Sequence, residues 1–442
     1  MIRLSVLLII VLFSGCVSVS TRVGKEEREK LSKVQEIYRP MEGKPELPDL
    51  KEDSELKDFI RYALLNNPEV EASFYQWKAE IEKVAVSRSL PYPVISLESE
   101  IISTGASFEP GLALMVPAPG KLSLTSEVMS IEARKKRKLF EEKILKVALN
   151  VKNLAYQYWI LKEKIKLAEN ILKTLNQLED LALAQLKLGR VSQSDVLAIQ
   201  IEREKNKNIL LDLHDYKNVI LAQFGAALGI SIGDKIPQPP EKLPFTEEGF
   251  SEEDIWEMVK LKNPKLSFMK DEIMESEIFV KLAYKEYLPD FGVGLMKSIF
   301  SESAMIKPML TFSLPWRKKV SSMISSAKSS VKVALAKYSS EEFDIAIMLT
   351  DALFRWRQAD REFKLYSKKL LPKVQSSLEL KRASYIANFS GLADYLGTER
   401  MFLEFSYNCI SAKAFREIAL NEILIVIAGI LPEGEIIFQE AR

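Results

Sequence analysis

The chain has 442 residues, and its 62 Lys and Arg against 61 Asp and Glu leave a formal charge of +1. This balance argues against a nucleic-acid binder held by a basic face. One His and two Cys argue against a histidine-rich metal centre, a four-thiolate zinc site and a disulfide framework. The sequence therefore predicts a structural or transport protein, not an enzyme, with no cofactor, no metal and no nucleic-acid partner.

The N-terminus predicts export. Arg3 precedes an apolar run over 4–13, which is too short to span a bilayer, so residues 1–15 are expected to be a signal peptide. Cys16 follows two small residues in a pattern that resembles a bacterial lipobox, with Phe13 where that pattern usually has Leu. The resemblance implies that Cys16 is lipidated and becomes the first residue of the mature chain. An uncleaved anchor, or an ordinary signal with an incidental cysteine, is the alternative.

Two similar units follow. Residues 16–50 are a charged, then proline-dotted arm that we expect to be lipid-anchored and to run extended along the surface. Units of about 200 residues are expected at 51–230 and 251–431, with a Pro-rich linker at 231–250 and a tail at 432–442. The landmarks that recur in order, at offsets of 196 to 200, are Asn67-Pro68 and Asn263-Pro264, Pro91 and Pro289, Val116-Pro117 and Leu314-Pro315, Asp195 and Asp394, and Gly229 and Gly429.

Each unit is expected to have one element order: a helix of about 35 residues, a β-hairpin, a long helical stretch, a short turn and a last helix. In the two units the first helices are expected at 53–89 and 251–286, the hairpins at about 92–117 and 290–315, the long stretches at 121–188 and 317–386, the turns at about 188–192 (first tip) and 387–391 (second tip), and the last helices at 192–228 and 391–428. Pro372 is expected to kink or break the second long stretch.

The long stretches carry coiled-coil spacing, so the fold class is mainly α with a small β part. The seam, at steps of four and three, is Leu154, Tyr158, Leu161, Ile165, Ala168, Leu172 and Leu175. A continuous helix over 121–188 would be about 100 Å long, because each residue adds 1.5 Å. Helices of that length are expected to pack side by side in a bundle or a tube.

The hairpin segments have the length and alternation of membrane-spanning strands. Ile95, Leu97 and Ile101 share one face, while Ser96, Glu98 and Glu100 share the other; Lys307 lies on the polar side of the fourth segment, and 112–116 is apolar on both faces. Hairpins packed on a soluble core would alternate in the same way. Four strands cannot close around water, so the hairpins are either not transmembrane or shared between several chains.

Three kinds of motif recur in order: the helix starts Asn67-Pro68-Glu69-Val70 and Asn263-Pro264-Lys265-Leu266, the strand exits Val116-Pro117-Ala118-Pro119-Gly120 and Leu314-Pro315-Trp316, and the tips from Leu188 to Leu197 and from Ala387 to Leu396. This ordered set of motifs resembles the TolC-like outer-membrane efflux protein family over about residues 50–431. With Cys16, the chain is most similar to the lipoprotein branch. The resemblance implies a homotrimer with a 12-stranded β-barrel that continues into an α-helical coiled-coil tunnel.

The resemblance also implies a passive exit duct of a tripartite efflux or type I secretion system. Such a duct would lie in the outer membrane, extend into the periplasm and receive small molecules, ions or polypeptides from an inner-membrane transporter through a periplasmic adaptor. The alternative is a lipid-anchored periplasmic coiled-coil protein without a pore.

Site residues follow from the same resemblance. The tips are expected to dock the adaptor through Gly189, Val191, Ser192, Asn388, Phe389, Ser390 and Gly391. Gly189 and Asn388 suit the left-handed conformation at a helix end, and Ser192 and Ser390 can cap the next helix. The pore gate is expected at Asp394 and Asp195 with Arg190, although Gly397 stands where the family often has a second aspartate. An ordinary first-turn aspartate is the alternative. Glu98, Glu100 and Lys307 are expected to line the barrel lumen.

Overall fold

A computed structural model of the chain describes residues 21–51, 53–102, 105–231, 233–246, 255–297, 306–387 and 392–427. The predicted signal peptide 1–15, the tail 432–442 and five predicted site residues lie outside the described residues; these five are Cys16, Asn388, Phe389, Ser390 and Gly391.

The N-terminal arm contains a helix, α1 (Arg22–Tyr38), so the expectation of an extended arm is wrong for these residues. Thr21 caps it by accepting a hydrogen bond from the Gly24 N–H at 3.1 Å. The buried face of the helix, spaced by three and four residues, consists of Gly24, Glu27, Leu31, Val34 and Tyr38. This spacing is that of one face of an α-helix. Through this face α1 packs against the helices Pro68–Ser87 and Lys121–Lys187.

The expected 35-residue helices are each two helices. In the first half α2 (Leu56–Asn66) ends before α3 (Pro68–Ser87), and in the second half α6 (Ile255–Lys262) ends before α7 (Pro264–Lys285). A proline has no N–H to continue the helix and moves the preceding residue out of the α region. The chain therefore breaks at each Asn-Pro pair.

The asparagine of each pair stabilises the break. The Asn67 side-chain oxygen accepts from the Glu69 N–H at 2.8 Å, and its Nδ2 donates to the Ala227 carbonyl at 3.0 Å. Asn263 accepts from the Lys265 N–H at 2.9 Å and donates to the Val426 carbonyl at 2.8 Å. Each asparagine thus caps one helix and ties it to the end of the last helix in its half.

Four strands form one antiparallel sheet in the order β1 (Val94–Ile102), β2 (Gly105–Val116), β3 (Phe291–Lys297) and β4 (Ile306–Phe312). The pairing of β2 with β3 joins the hairpin of the first half to the hairpin of the second half. Within the described residues β1 and β4 each pair on one side only.

The long helices run from the sheet to the tips. In the first half α4 (Lys121–Lys187) is one continuous helix of 67 residues, about 100 Å at 1.5 Å per residue, and α5 (Gln193–Leu228) returns along it. Across the ranges that the structure describes, no helix combines the length and the apolar character needed to cross a bilayer.

In the second half the long stretch consists of α8 (Arg317–Leu365), a π turn (Tyr366–Leu370) and α9 (Leu371–Ile386), and α10 (Leu392–Ile427) returns. The α-helical pattern is therefore interrupted just before Pro372, as predicted. The Leu371 N–H donates to the Tyr366 carbonyl, five residues back. The wider π turn makes room for the pyrrolidine ring of Pro372, which would otherwise clash with the preceding turn of the helix.

The core is a set of seams between helices. The largest seam contains residues of the five helices α1, α2, α3, α4 and α5. It includes an aromatic cluster of Tyr38, Phe74, Trp77 and Phe140, in which Trp77 stacks on Phe140 with 5.8 Å between the ring centroids. A second seam near the tips contains residues of both halves. In the predicted coiled-coil seam of α4 six residues are buried and Leu172 is half-buried.

Candidate functional site

One face of the sheet is apolar and exposed. The register places Leu114, Val293 and Leu310 in one row and Val116, Phe291 and Phe312 in another. Ile95 is 80% exposed and Leu310 is 62% exposed. A contiguous apolar surface of this kind is rare on a soluble monomer and is typical of a lipid-facing or protein-facing surface.

The pairing also resolves the segment that was apolar on both sides. Leu112 lies opposite Ile95 and Leu295, so it belongs to the apolar face together with Leu114. Ala113 lies opposite Gly294 and belongs to the other face. On the two central strands the second face therefore carries small residues at this level.

The second face carries most of the charged residues of the strands, and Lys297, at the end of β3, lies on the apolar face. Glu98 lies directly opposite Glu109, and Lys307 reaches from β4 to bind Glu109, with 2.6 Å between Nζ and Oε1. The Glu98 side chain is exposed and the Glu109 side chain is buried. Glu100 belongs to β1, but its side chain lies outside the described residues. The structure thus brings Glu98 and Lys307 to one face, as predicted, around a carboxylate that sequence reasoning missed.

Residues 112–116 are apolar on both faces and so do not indicate a charged face in the second segment, which contains Glu109. Alternation from Gly111 and Ala113 back to Glu109 places all three on one face, since side chains repeat every two residues in a strand. That signal was available in the sequence. The ion pair between Glu109 and Lys307 could not be predicted from the sequence, because it depends on the register of all three strand pairs.

The sheet and the helices meet at a buried lysine. Lys121, the first residue of α4, donates to Glu286 and to Asp290, each at 3.1 Å. Asp290 also accepts from the Ala118 N–H at 2.7 Å. Lys121 comes from the first half and its two partners come from the second, so this contact fixes the halves against each other where the strands end.

A set of ion pairs continues this contact along α4 and α7. Asp271 is 4% exposed and binds both Arg134 and Lys138, and Lys138 also donates to the Ser267 hydroxyl at 2.6 Å. Burial lowers the pKa of Lys138, and Asp271 opposes that shift. Because breaking a buried pair leaves an uncompensated charge, these contacts specify how α4 and α7 align.

The first tip has the predicted geometry. Gly189 is left-handed at φ 66°, the Arg190 N–H donates to the Gln185 carbonyl, and the Gly189 N–H donates to the Leu186 carbonyl, both at 3.0 Å. This is a Schellman turn, which satisfies carbonyls at a helix end. Val191 is half-buried, while Gly189 and Arg190 are exposed.

The next helix starts with a capping box. The Ser192 hydroxyl accepts from the Asp195 N–H at 3.2 Å, and the Asp195 carboxylate accepts from the Ser192 N–H at 2.9 Å. Ser192 therefore caps α5 as predicted. Asp195 therefore stabilises the first turn of α5 as part of the capping box.

The start of α10 packs against the first half of the chain. Leu392, Tyr395 and Leu396 of α10 are buried in one apolar cluster with Leu175 and Ile199 of the first half. Asp394 is exposed in the first turn of α10, and its backbone carbonyl accepts from the Thr398 hydroxyl at 2.9 Å. The predicted gate residues Asp195, Asp394 and Arg190 thus lie at the same end of the molecule, far from the sheet.

No group of three or more His, Cys, Asp or Glu side chains in the described part of the chain could hold a metal ion. The arrangement offers a lipid-compatible surface at one end and exposed charges at the other.

Comparison with known proteins defines the class of fold. No family model matches the chain, and no curated protein matches it. Solved structures do, and several of them are bacterial outer-membrane channels, so the predicted resemblance to the TolC-like family is confirmed at the level of fold.

The individual likenesses are similar in extent. The CmeC outer membrane channel of Campylobacter jejuni superposes with a TM-score of 0.72 at 12% identity and covers 88% of this chain and 89% of its own. The outer membrane protein VceC of Vibrio cholerae gives 0.71 at 12% identity, with 85% and 96% covered. The open state of the MtrE outer membrane channel of Neisseria gonorrhoeae gives 0.71 at 14% identity, with 87% and 96% covered.

Proposed function

We propose that this protein is the outer-membrane exit duct of a tripartite efflux or type I secretion system and conducts small molecules, ions or polypeptides passively. The observation that carries the proposal is the sheet at one end of a helical bundle about 100 Å long. It has an exposed apolar face, an opposite face with charges and, among the described residues, two edge strands that pair on one side only. The apolar face suits lipid and the charged face suits a water-filled lumen. The fold shared with outer-membrane channels supports this function.

The duct would be a homotrimer. Four strands cannot enclose a lumen, whereas three chains supply twelve. The two halves would be copies of one unit, 51–230 and 251–431, joined by the linker 231–250. The β2–β3 contact inside the chain would then be repeated between chains, with β4 of one protomer pairing with β1 of the next.

The internal pairing supports a definite register for that contact. Paired residues of β2 and β3 have numbers that sum to 407, as in Leu112 with Leu295. An offset of 198 between the halves transfers this register unchanged to β4 and β1. Leu310 would then face Leu97, and Thr311 would face Ser96, so that apolar residues meet on one face and polar residues on the other.

Lipidation at Cys16 fits the position of α1. The Thr21 hydroxyl lies 2.7 Å from that of Ser130. Ser130 is nine residues past Lys121, where α4 begins, and this corresponds to about 13.5 Å of helix. The five residues from Cys16 to Thr21 can span about 17 Å when extended. A lipid on Cys16 would therefore reach the membrane beside the strands.

The far end would meet the partners. Through Gly189, Val191 and Ser192, and the matching second-tip residues 388–391, the tips would dock a periplasmic adaptor that links the duct to an inner-membrane transporter. Asp394, with Asp195 and Arg190, would form the gate. Three copies of Asp394 around a trimer axis would favour cations and bind polyvalent ones.

Single-channel recording in a planar bilayer tests the duct directly. We expect trimers purified from membranes to conduct. Well-folded trimers that never conduct would contradict the proposal and favour a lipid-anchored coiled-coil protein without a pore.

The gate has its own test. We expect Asp394→Ala to weaken block by hexaamminecobalt(III) added from the tip side, while Asp180→Ala, a change on α4, leaves block unchanged. Equal block in wild type and Asp394→Ala would remove Asp394 from the gate.

A further inference from the structure

The helices α4 and α5 form one helical hairpin near the tips, and α9 and α10 form another. Two buried carboxyl groups lie where these two helical hairpins pack together. Glu202 of α5 is 7% exposed and Glu399 of α10 is 4% exposed. The apolar cluster between the tips contains their neighbours Ile199 and Leu396. Glu202 belongs to the first half and Glu399 to the second, so the pair lies at the contact between the two helical hairpins.

Only one of the two carboxylates has its charge balanced directly. Arg400 binds Glu202 through Nε at 3.0 Å and through a terminal nitrogen at 2.8 Å. Glu399 Oε2 is buried and has no hydrogen-bond partner among the described residues. A buried ionised carboxylate without partners is strongly unfavourable, whereas the protonated form is tolerated.

We propose that Glu399 and Glu202 form a proton-controlled contact between the two helical hairpins, firm while Glu399 is protonated and weakened when Glu399 ionises. Ionisation would place two negative charges against each other inside an apolar layer. The hairpins can relieve this by separating enough to admit water to Glu399. The inference concerns hairpin packing and does not depend on whether the protein conducts.

The groups around Glu399 account for a shift into the physiological range. Burial is the largest cause and Glu202 on α5 adds to it; together they raise the pKa of Glu399 to about 7, against the opposing charges of Arg382 on α9 and Arg400 on α10. Tyr395 stays neutral because burial raises its pKa to about 12.

On α4, a charged group near this contact is Glu179, and its charge is neutralised by its own partners. Glu179 accepts from Gln200 at 2.8 Å and also binds Arg203, both on α5. Its charge is therefore compensated locally.

The direction of the pH effect follows from linkage. The pKa is about 7 in the packed state, against a reference value of 4.5 for a solvated glutamate. The stabilisation by protonated Glu399 is fully present below pH 4.5 and is lost as the pH rises through about 7. If separation solvates Glu399, the ratio of packed to separated hairpins falls by roughly 30-fold between pH 5.5 and 8.

Hydrogen–deuterium exchange of the purified full chain tests this inference. The readout is the protection of peptides from 196–206 and 395–406, corrected for the intrinsic pH dependence of amide exchange. In the wild type we expect protection to fall roughly 30-fold between pH 5.5 and 8. Glu399→Gln should hold protection high and flat, and Glu404→Gln, an exposed carboxyl on the same helix, should behave as wild type.

Two further variants move the midpoint in opposite directions. Arg382→Gln removes an opposing cation and should shift the midpoint to higher pH. Glu202→Gln removes the repelling carboxylate and should shift it to lower pH. Flat protection in the wild type, unchanged pH dependence in Glu399→Gln, or midpoints that ignore both changes would overturn the inference, and none of these outcomes bears on conduction.

Discussion

A cysteine at Ser96 and another at Thr311 test how protomers join at the sheet. In the proposed trimer, the register transferred from β2 and β3 would place these two residues directly opposite each other across the contact between neighbouring protomers. Directly opposed residues have Cβ atoms about 4.5–5.5 Å apart, close to the spacing that a disulfide needs. We expect Ser96→Cys with Thr311→Cys, in a Cys409→Ser background, to cross-link spontaneously.

The geometry within one chain excludes the same bond. Ser96 is on β1 and Thr311 is on β4, at opposite edges of the four-stranded sheet. Three strand spacings of about 4.8 Å alone separate them by roughly 14 Å across the sheet, and they are also offset along the strands. Two cysteines more than about 7 Å apart at Cα cannot be bridged without moving the backbone. Any disulfide must therefore join two chains.

Non-reducing gel electrophoresis reads the result. We expect covalent dimers and trimers, and a trimer closed by three bonds should resist dissociation until reductant is added. The matched control pairs Thr311→Cys with Glu98→Cys, which is displaced by two residues, or about 6.8 Å along the strand. Exclusively monomeric chains, or equal cross-linking of both pairs, would refute the transferred register.

Two other predictions concern the fold. Asp271→Asn leaves Arg134 and Lys138 without their buried partner and should cost about 3–5 kcal/mol in the free energy of unfolding measured with urea, whereas Lys146→Met, in an exposed pair, should cost no more than about 1 kcal/mol. Gly189→Ala should cost only about 1–2 kcal/mol for its left-handed backbone, because nothing lies within 4 Å of the added Cβ. Gly229→Ala should cost more, since its Cβ would lie 2.7 Å from the Asn66 carbonyl oxygen. Similar losses within either pair of variants would contradict these assignments.

The sequence was sufficient where the determining signal is local. Gly189 and Ser192 identified a turn and a cap, because left-handed backbone and side-chain capping depend on one or two residues. The length of α4 followed from unbroken apolar spacing. The Asn-Pro pairs were recognised as landmarks, but their effect as helix breaks was not, although it too is local.

The prediction of an extended N-terminal arm was wrong for a related reason. Its charged composition suggested extended chain, and the apolar positions that define α1 are few. Their spacing becomes decisive only with α3 and α4 present to cover them, since most helical stability in proteins comes from packing of an apolar face.

By itself the sequence determined the order of helical segments and β-hairpins within each half, the two-faced character of the strands and the turn at the first tip, all of which depend on short-range periodicity and backbone sterics. The tertiary structure alone decided that Lys307 binds Glu109, that Lys121 joins the halves, and that Arg400 binds Glu202 next to the buried Glu399. Each of these contacts joins residues roughly 165 to 198 positions apart. The energy of a buried charge depends on what surrounds it in space, and no local pattern contains that information.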